Sequence, residues 1–170
     1  HITSATALLL PIQQICARAR EAGILTVIDG AHVPGQVPLD LDDLGADIYI
    51  GNLHKWLSAP KGSAFVFIHP DWHAKIDPLV ISWGSDGASL FERTRWQGTR
   101  DITAFLTVPE AIAFQDAHDW DTVRERCHAL TVETVQRVCD LTGLAPLSTP
   151  NFYGQLVAIP LPDTVNPEQL

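Results

Sequence analysis

Ile24-Leu25-Thr26-Val27-Ile28-Asp29-Gly30-Ala31-His32 is an apolar run that ends in an acid, a glycine and a histidine. The pattern returns at Ile48-Tyr49-Ile50-Gly51-Asn52-Leu53-His54-Lys55-Trp56, which ends in a histidine and a lysine. Short apolar runs closed by glycine read as buried strands. Two such strands side by side would bring Asp29 and Lys55 to one edge of a sheet, and ligands of α/β folds gather at the carboxyl ends of strands.

The flanking sequence fits such a sheet. Residues 2–4 read as the tail of a strand. Residues 11–22 read as a helix that opens on Pro11, carries Ile12, Ile15, Cys16 and Ala19 at helical spacing and stops at Gly23. A loop with Pro34, Gly35 and Pro38 leads to the second strand, and residues 63–69 form a strand returning after the lysine loop. Residues 77–101 are loop-like and too long to be idle. Helices are expected over 103–117 and 121–141, the second ending at Gly143, followed by a strand over 153–159. Strands alternating with helices predict an α/β fold with a mostly parallel sheet covered on both faces.

A strand-end acid paired with a strand-end lysine is what a pyridoxal phosphate enzyme needs: the amine forms a Schiff base, and the acid keeps the pyridinium nitrogen protonated so that the ring acts as an electron sink. The chain resembles the class V aminotransferase family of these enzymes, and within it the isopenicillin N epimerase-like branch, with cysteine desulfurases more distant. The resemblance lies in His1-Ile2-Thr3-Ser4, Val27 to His32, Asn52 to Trp56, Ser58-Ala59-Pro60-Lys61-Gly62, and Gln97-Gly98-Thr99-Arg100-Asp101. It implies the large domain of fold type I over residues 1–118, a connecting helix over 119–150 and the start of a small α+β domain from 151 to 170. It also implies that the chain is a fragment, with a phosphate-binding loop and the arginine for the substrate carboxylate lying outside it.

The resemblance gives residues their roles. Lys55 carries pyridoxal 5'-phosphate, and Lys61 is a local rival set aside because it precedes the turn at Gly62. Asp29 serves the pyridinium nitrogen, against the plainer reading of an acid capping a turn with Gly30. His32 lies near the ring and tunes or passes a proton, and His54 contacts the phosphate. Thr3, or its neighbour Ser4, meets the phenolic oxygen; only one of the two can face inward in an extended segment. Gly98 and Thr99 would reach the phosphate of a partner subunit, so a homodimer with shared active sites is expected. Trp83, Arg93 and Arg95 are candidates for the substrate entrance or for a solvated interface loop. The implied reaction is at the α-carbon of an amino acid, with epimerisation favoured and transamination or carbon–sulfur cleavage as alternatives. A non-catalytic binding protein on the same fold is the rival of a different class. Asp29, His32 and His54 could also be read as metal ligands, but no HExxH-like or Cys-rich spacing supports them, so no metal is expected.

Composition bounds the rest. A net charge of −9 argues against nonspecific partnership with nucleic acid or an anionic membrane surface. No apolar run is long enough to span a bilayer. Three irregularly spaced cysteines make neither a disulfide framework nor a zinc pattern, which makes a cytoplasmic setting the default. Cys16, Cys127 and Cys139 all fall on expected helices and read as packing residues.

Overall fold

A computed structural model describes residues 1–166. After helix α1 (Ile12–Glu21), strand β1 (Val27–Asp29) leads through a short α2 (Leu41–Leu44) to β2 (Ile48–Asn52) and then β3 (Ala64–Ile68). These form one sheet in the order β1-β2-β3. β1 and β2 are parallel, with Asp29 opposite Ile50. β3 returns antiparallel, with Asn52 opposite Ala64. The sheet is therefore mixed, with one parallel and one antiparallel pair.

Side chains alternate across a strand, so this register assigns two faces. Ile28, Tyr49 and Phe67 share one face, which packs on Ile12 and Cys16 of α1 together with Ile2, Val33 and Ala46. Tyr49 is wholly buried there. The packed stripe of α1 runs through Ile12, Cys16 and Ala19, while Ile15 faces outward. Val27, Ile50 and Val66 lie on the other face and are 55%, 40% and 57% exposed. The expected burial on both faces is thus found on one face only among the described residues.

The first strand is shorter than its apolar run, because its ladder starts only where β2 begins. Just before that point, Thr26 donates from its backbone N–H and its hydroxyl to one oxygen of Asp47, both at 2.8 Å. The other oxygen of Asp47 accepts from the Trp72 indole at 2.9 Å. Ile24 and Leu25 lie ahead of this clasp, outside the sheet.

Beyond the sheet come α3 (Pro70–His73), α4 (Leu90–Thr94), α5 (Thr103–Leu106), α6 (Val108–Ala117) and α7 (Trp120–Thr142). The loop expected over 77–101 contains α4, opened by a capping box between Ser89 and Glu92. The single helix expected over 103–117 is divided at Thr107, where Pro109 supplies no N–H to carry the ladder across. α7 ends as expected on Gly143, in the left-handed conformation.

Two further expectations fail. Residues 2–4 form no strand tail, because Thr3 and Leu8 close a turn and leave a single bridge between Ile2 and Leu9. No strand forms over 153–159 either. A 3-10 turn at Pro150–Phe152 precedes Tyr153, and the Gln155 N–H donates to the side chain of Gln36 instead of to a neighbouring strand.

The Asp47 clasp makes stability depend on acid. Burial alone would raise its carboxyl pKa, but the bonds from Thr26 and Trp72 outweigh burial and hold it below the ordinary 3.8. A depressed carboxyl pKa contributes stability that is present above the unfolded value and is lost as pH falls through the folded one. Urea midpoints measured from about pH 6 down to about pH 2 should fall more steeply for the parent than for Asp47→Asn.

Candidate active site

Asp29, His32 and Lys55, expected at neighbouring strand ends, line one cleft of about 500 Å³. Lys55 Nζ lies 3.1 Å from His32 Nε2. Asp29 points to the sheet face opposite Ile28 and is exposed at the strand's end. Its Oδ1 accepts from the Ala31 N–H at 2.8 Å, which is the turn-capping bond expected of an acid before glycine. Its other oxygen makes no hydrogen bond among the described residues, so the cap leaves half of the carboxylate available.

The Lys55–His32 contact has room for one shared proton. Either an ammonium donates to a neutral Nε2, or an Nε2–H donates to a neutral amine; two cations would leave no acceptor between them. The imidazole behaves accordingly. Burial first, and the Lys55 charge second, lower its pKa below 6.5, against a smaller opposing pull from Asp29. His32 Nδ1 is buried without a partner among the described residues, and so is Nδ1 of His54.

Backbone contacts that the sequence did not announce hold the two loops together. Gly35, at φ +84°, lies so close to the Trp56 carbonyl that a Cβ there would come within 2.4 Å of its oxygen. The buried Gln115 of α6 donates to that same carbonyl at 3.0 Å. Trp120, at the start of α7, donates from its indole to the Gly35 carbonyl at 2.8 Å. The loop carrying His32 is thereby pressed against the loop carrying Lys55. Ser58, in the lysine loop, takes a left-handed φ of 65°, and its N–H donates to the Lys55 carbonyl at 3.2 Å. Single buried amides such as Gln115 leave no periodic trace; only the Pro34-Gly35 turn hinted at a close approach.

Thr3 and Ser4 also line the cleft. The Thr3 hydroxyl is engaged with Thr6 at 2.6 Å and accepts from the Leu8 N–H at 2.9 Å, whereas Ser4 is exposed. Lys61 is exposed and lies outside the cleft. Gly98 and Thr99 are not brought to Lys55. Thr99 lines a separate cleft of about 770 Å³ with Trp83, Arg95 and Trp96. Arg93 is committed to the carbonyls of His73, Ile76, Gly87 and Ala88, which leaves Arg95 as the arginine of that cleft. Asp101 Oδ1 accepts from the Thr103 N–H at 2.8 Å, ahead of α5, rather than pairing with Arg100, whose guanidinium lies 4.8 Å from the Phe105 ring centre. Asp29, His32 and His54 do not gather as metal ligands, and no group of three or more such side chains does so among the described residues.

A family model described as aminotransferase class-V matches residues 1–169. The isopenicillin N epimerase of Amycolatopsis lactamdurans is 38% identical over 178 residues, spanning 95% of this chain and 45% of that protein. A putative L-cysteine desulfhydrase of rice, Oryza sativa subsp. japonica, is 35% identical over 99% of this chain and 36% of its own length. Among solved structures, the cysteine desulfurase of Thermococcus onnurineus NA1 superposes with a TM-score of 0.84 at 19% identity, covering 99% of this chain and 44% of that one. The chain thus spans less than half the length of these relatives. The fold they share is that of fold-type I pyridoxal phosphate enzymes.

Titration checks the central contact. In the cofactor-free protein, the His32 ring carbon followed by NMR should titrate below pH 6.5. Lys55→Met should move that midpoint upward, because it removes a neighbouring charge that opposes protonation. A midpoint indifferent to Lys55 would mean that the two side chains do not meet.

Proposed function

Because this chain belongs to the class V aminotransferase family, we propose that it acts at the α-carbon of an amino acid, with Lys55 as the residue that takes up the cofactor and then moves the α-proton. The observation that carries the reading is the 3.1 Å contact of Lys55 Nζ with His32 Nε2, in a cleft that also holds Asp29.

Pyridoxal phosphate is the cofactor of this family, and the residues present fit it. One cleft offers an amine, a carboxylate with an oxygen left over from its turn and an imidazole. Among the described residues, the buried Nδ1 atoms of His32 and of His54, which does not line that cleft, have no hydrogen-bond partner. When bound, the cofactor supplies a sink for the electron pair left at the α-carbon. Asp29 would hold a proton at the ring nitrogen through its unbonded oxygen. His54 would donate to a phosphate oxygen, and Thr3 or Ser4 would bond the phenolic oxygen. Lys55 Nζ would accept the α-proton, and His32 Nε2, sharing one proton with it, would keep that amine able to accept.

Epimerisation is the favoured outcome, because the branch phrases fall within residues 1–101 and the likeness to an isopenicillin N epimerase spans 95% of the chain. It needs a second group to return a proton on the opposite face of the α-carbon. Carbon–sulfur cleavage is the alternative, prompted by the likeness to a desulfhydrase, with transamination behind it. Among the described residues no cysteine lines this cleft: Cys16 is buried in the core, and Cys127 and Cys139 lie on α7. In a homodimer the separate cleft at Thr99 would serve the partner's phosphate, completing each site from two chains. The cytoplasmic setting belongs to the same proposal and rests on three free thiols.

The test uses the whole polypeptide purified with pyridoxal phosphate. A visible absorption band of lysine-bound cofactor is expected and should vanish in Lys55→Ala, with α-hydrogen exchange into deuterated water falling by about 10²–10⁴-fold. Inversion of the amino acid during exchange supports the epimerase; release of sulfide and pyruvate from cysteine supports the lyase. A colourless protein in excess cofactor would leave only the non-catalytic reading.

A further inference from the structure

Gln36 is 1% exposed, yet its amide is bonded at both ends. Its Nε2 donates to the His32 carbonyl at 2.7 Å. Its Oε1 accepts from the Gln155 backbone N–H at 3.0 Å. The Gln36 main-chain carbonyl accepts from Gln155 Nε2 at 2.8 Å. The approach is tight enough that a Cβ on Gly154 would fall 2.4 Å from Gln36 Oε1. One buried side chain therefore joins the turn carrying His32 to a segment more than a hundred residues further along.

The location of this anchor matters because of how His32 is held. An imidazole that works through one ring nitrogen is ordinarily fixed by a bond at the other. Here Nδ1 has no partner among the described residues. The ring's direction then depends on its main chain, and the His32 carbonyl is fixed by Gln36. The amide does both jobs at once: its NH2 meets the need of the His32 carbonyl for a donor, and its oxygen meets the need of the Gln155 N–H for an acceptor. The same segment also bears on the neighbouring loop, since Gln155 Nε2 lies 3.4 Å from the Gly35 carbonyl, and Gly35 is pressed against Trp56, the residue after Lys55.

We propose that Gln36 is a positioning residue: it sets where His32 meets Lys55 and makes that contact depend on the docking of residues 153–155. This rests on the reading of Lys55 and His32 as the site's working pair. It adds that the pair is assembled only when the chain beyond α7 is in place, so that a displacement of Gln155 is felt at the amine.

The experiment follows the His32 titration by NMR in the full chain without cofactor, with and without Lys55→Met, so that the readout is the response of one side chain to the other. With Gln36 intact, Lys55→Met is expected to raise the His32 midpoint. In Gln36→Met, which keeps length and removes both donor and acceptor, most of that response should be lost while the circular dichroism spectrum stays that of the parent. Asp29 and the amino group of His1 are the other charges facing His32, and both are unchanged throughout. Should Gln36→Met not fold, Gln155→Ala decides. It keeps the backbone N–H to Gln36 but removes the side-chain bonds to residues 35 and 36, and it should weaken the response in the same direction. A His32 response of parental size in folded Gln36→Met, or in Gln155→Ala, overturns the proposal. Failure of the functional reading looks different: His32 would ignore Lys55 even with Gln36 present, or the protein would take up no cofactor while the Gln36 effect persisted.

Discussion

The parallel pairing of β1 with β2 is the constraint from which the rest follows. With Val27 opposite Ile48 and Asp29 opposite Ile50, both chains leave the sheet in the same direction and at the same edge. A strand carries its side chains alternately to two faces, so a slip of one residue would send Asp29 to the side of Tyr49 and α1. The slip is blocked from both directions. Ile28 and Tyr49 occupy the packed face, and the Thr26–Asp47 clasp fixes where the ladder begins.

Much of this was legible in the sequence because it depends on local patterns. Apolar runs closed by glycine marked β1 and β2, and the strand after the lysine loop was expected to return. α1 and α7 announced themselves through Pro11, apolar spacing and Gly143. That Asp29, His32 and Lys55 share one cleft was legible because each lies at, or a few residues beyond, the end of an apolar run, where α/β folds hold their ligands. What remained hidden depends on distant partners. The Gln115 bond to Trp56 joins residues far apart in the chain, and nothing in the run Ala113-Phe114-Gln115-Asp116 distinguishes that amide from a solvated one. The strand expected at 153–159 failed for the same reason. Its apolar run from Leu156 to Ile159 is real, but the Gln155 N–H found a side chain at Gln36 rather than a strand. Ser89 and Glu92, by contrast, carry a readable capping box inside a stretch whose Gly and Ser content otherwise reads as loop.

Electrostatics and geometry agree at the Lys55–His32 contact. Burial first, and the neighbouring Lys55 charge second, lower the pKa of the imidazole, and a neutral imidazole is what can share a proton with an amine at 3.1 Å. The Asp29 carboxylate, with one oxygen spent on its own turn, is kept in a fixed direction by a bond whose local role is only to close that turn.

The uncovered face of the sheet has a practical side. Val27, Ile50 and Val66 form an apolar strip across three strands, and β1 and β3 each have one edge without a strand beside it among the described residues. Such a surface invites edge-to-edge pairing between molecules. A recombinant polypeptide cut to these residues would carry that adhesive strip into solution, where aggregation competes with folding.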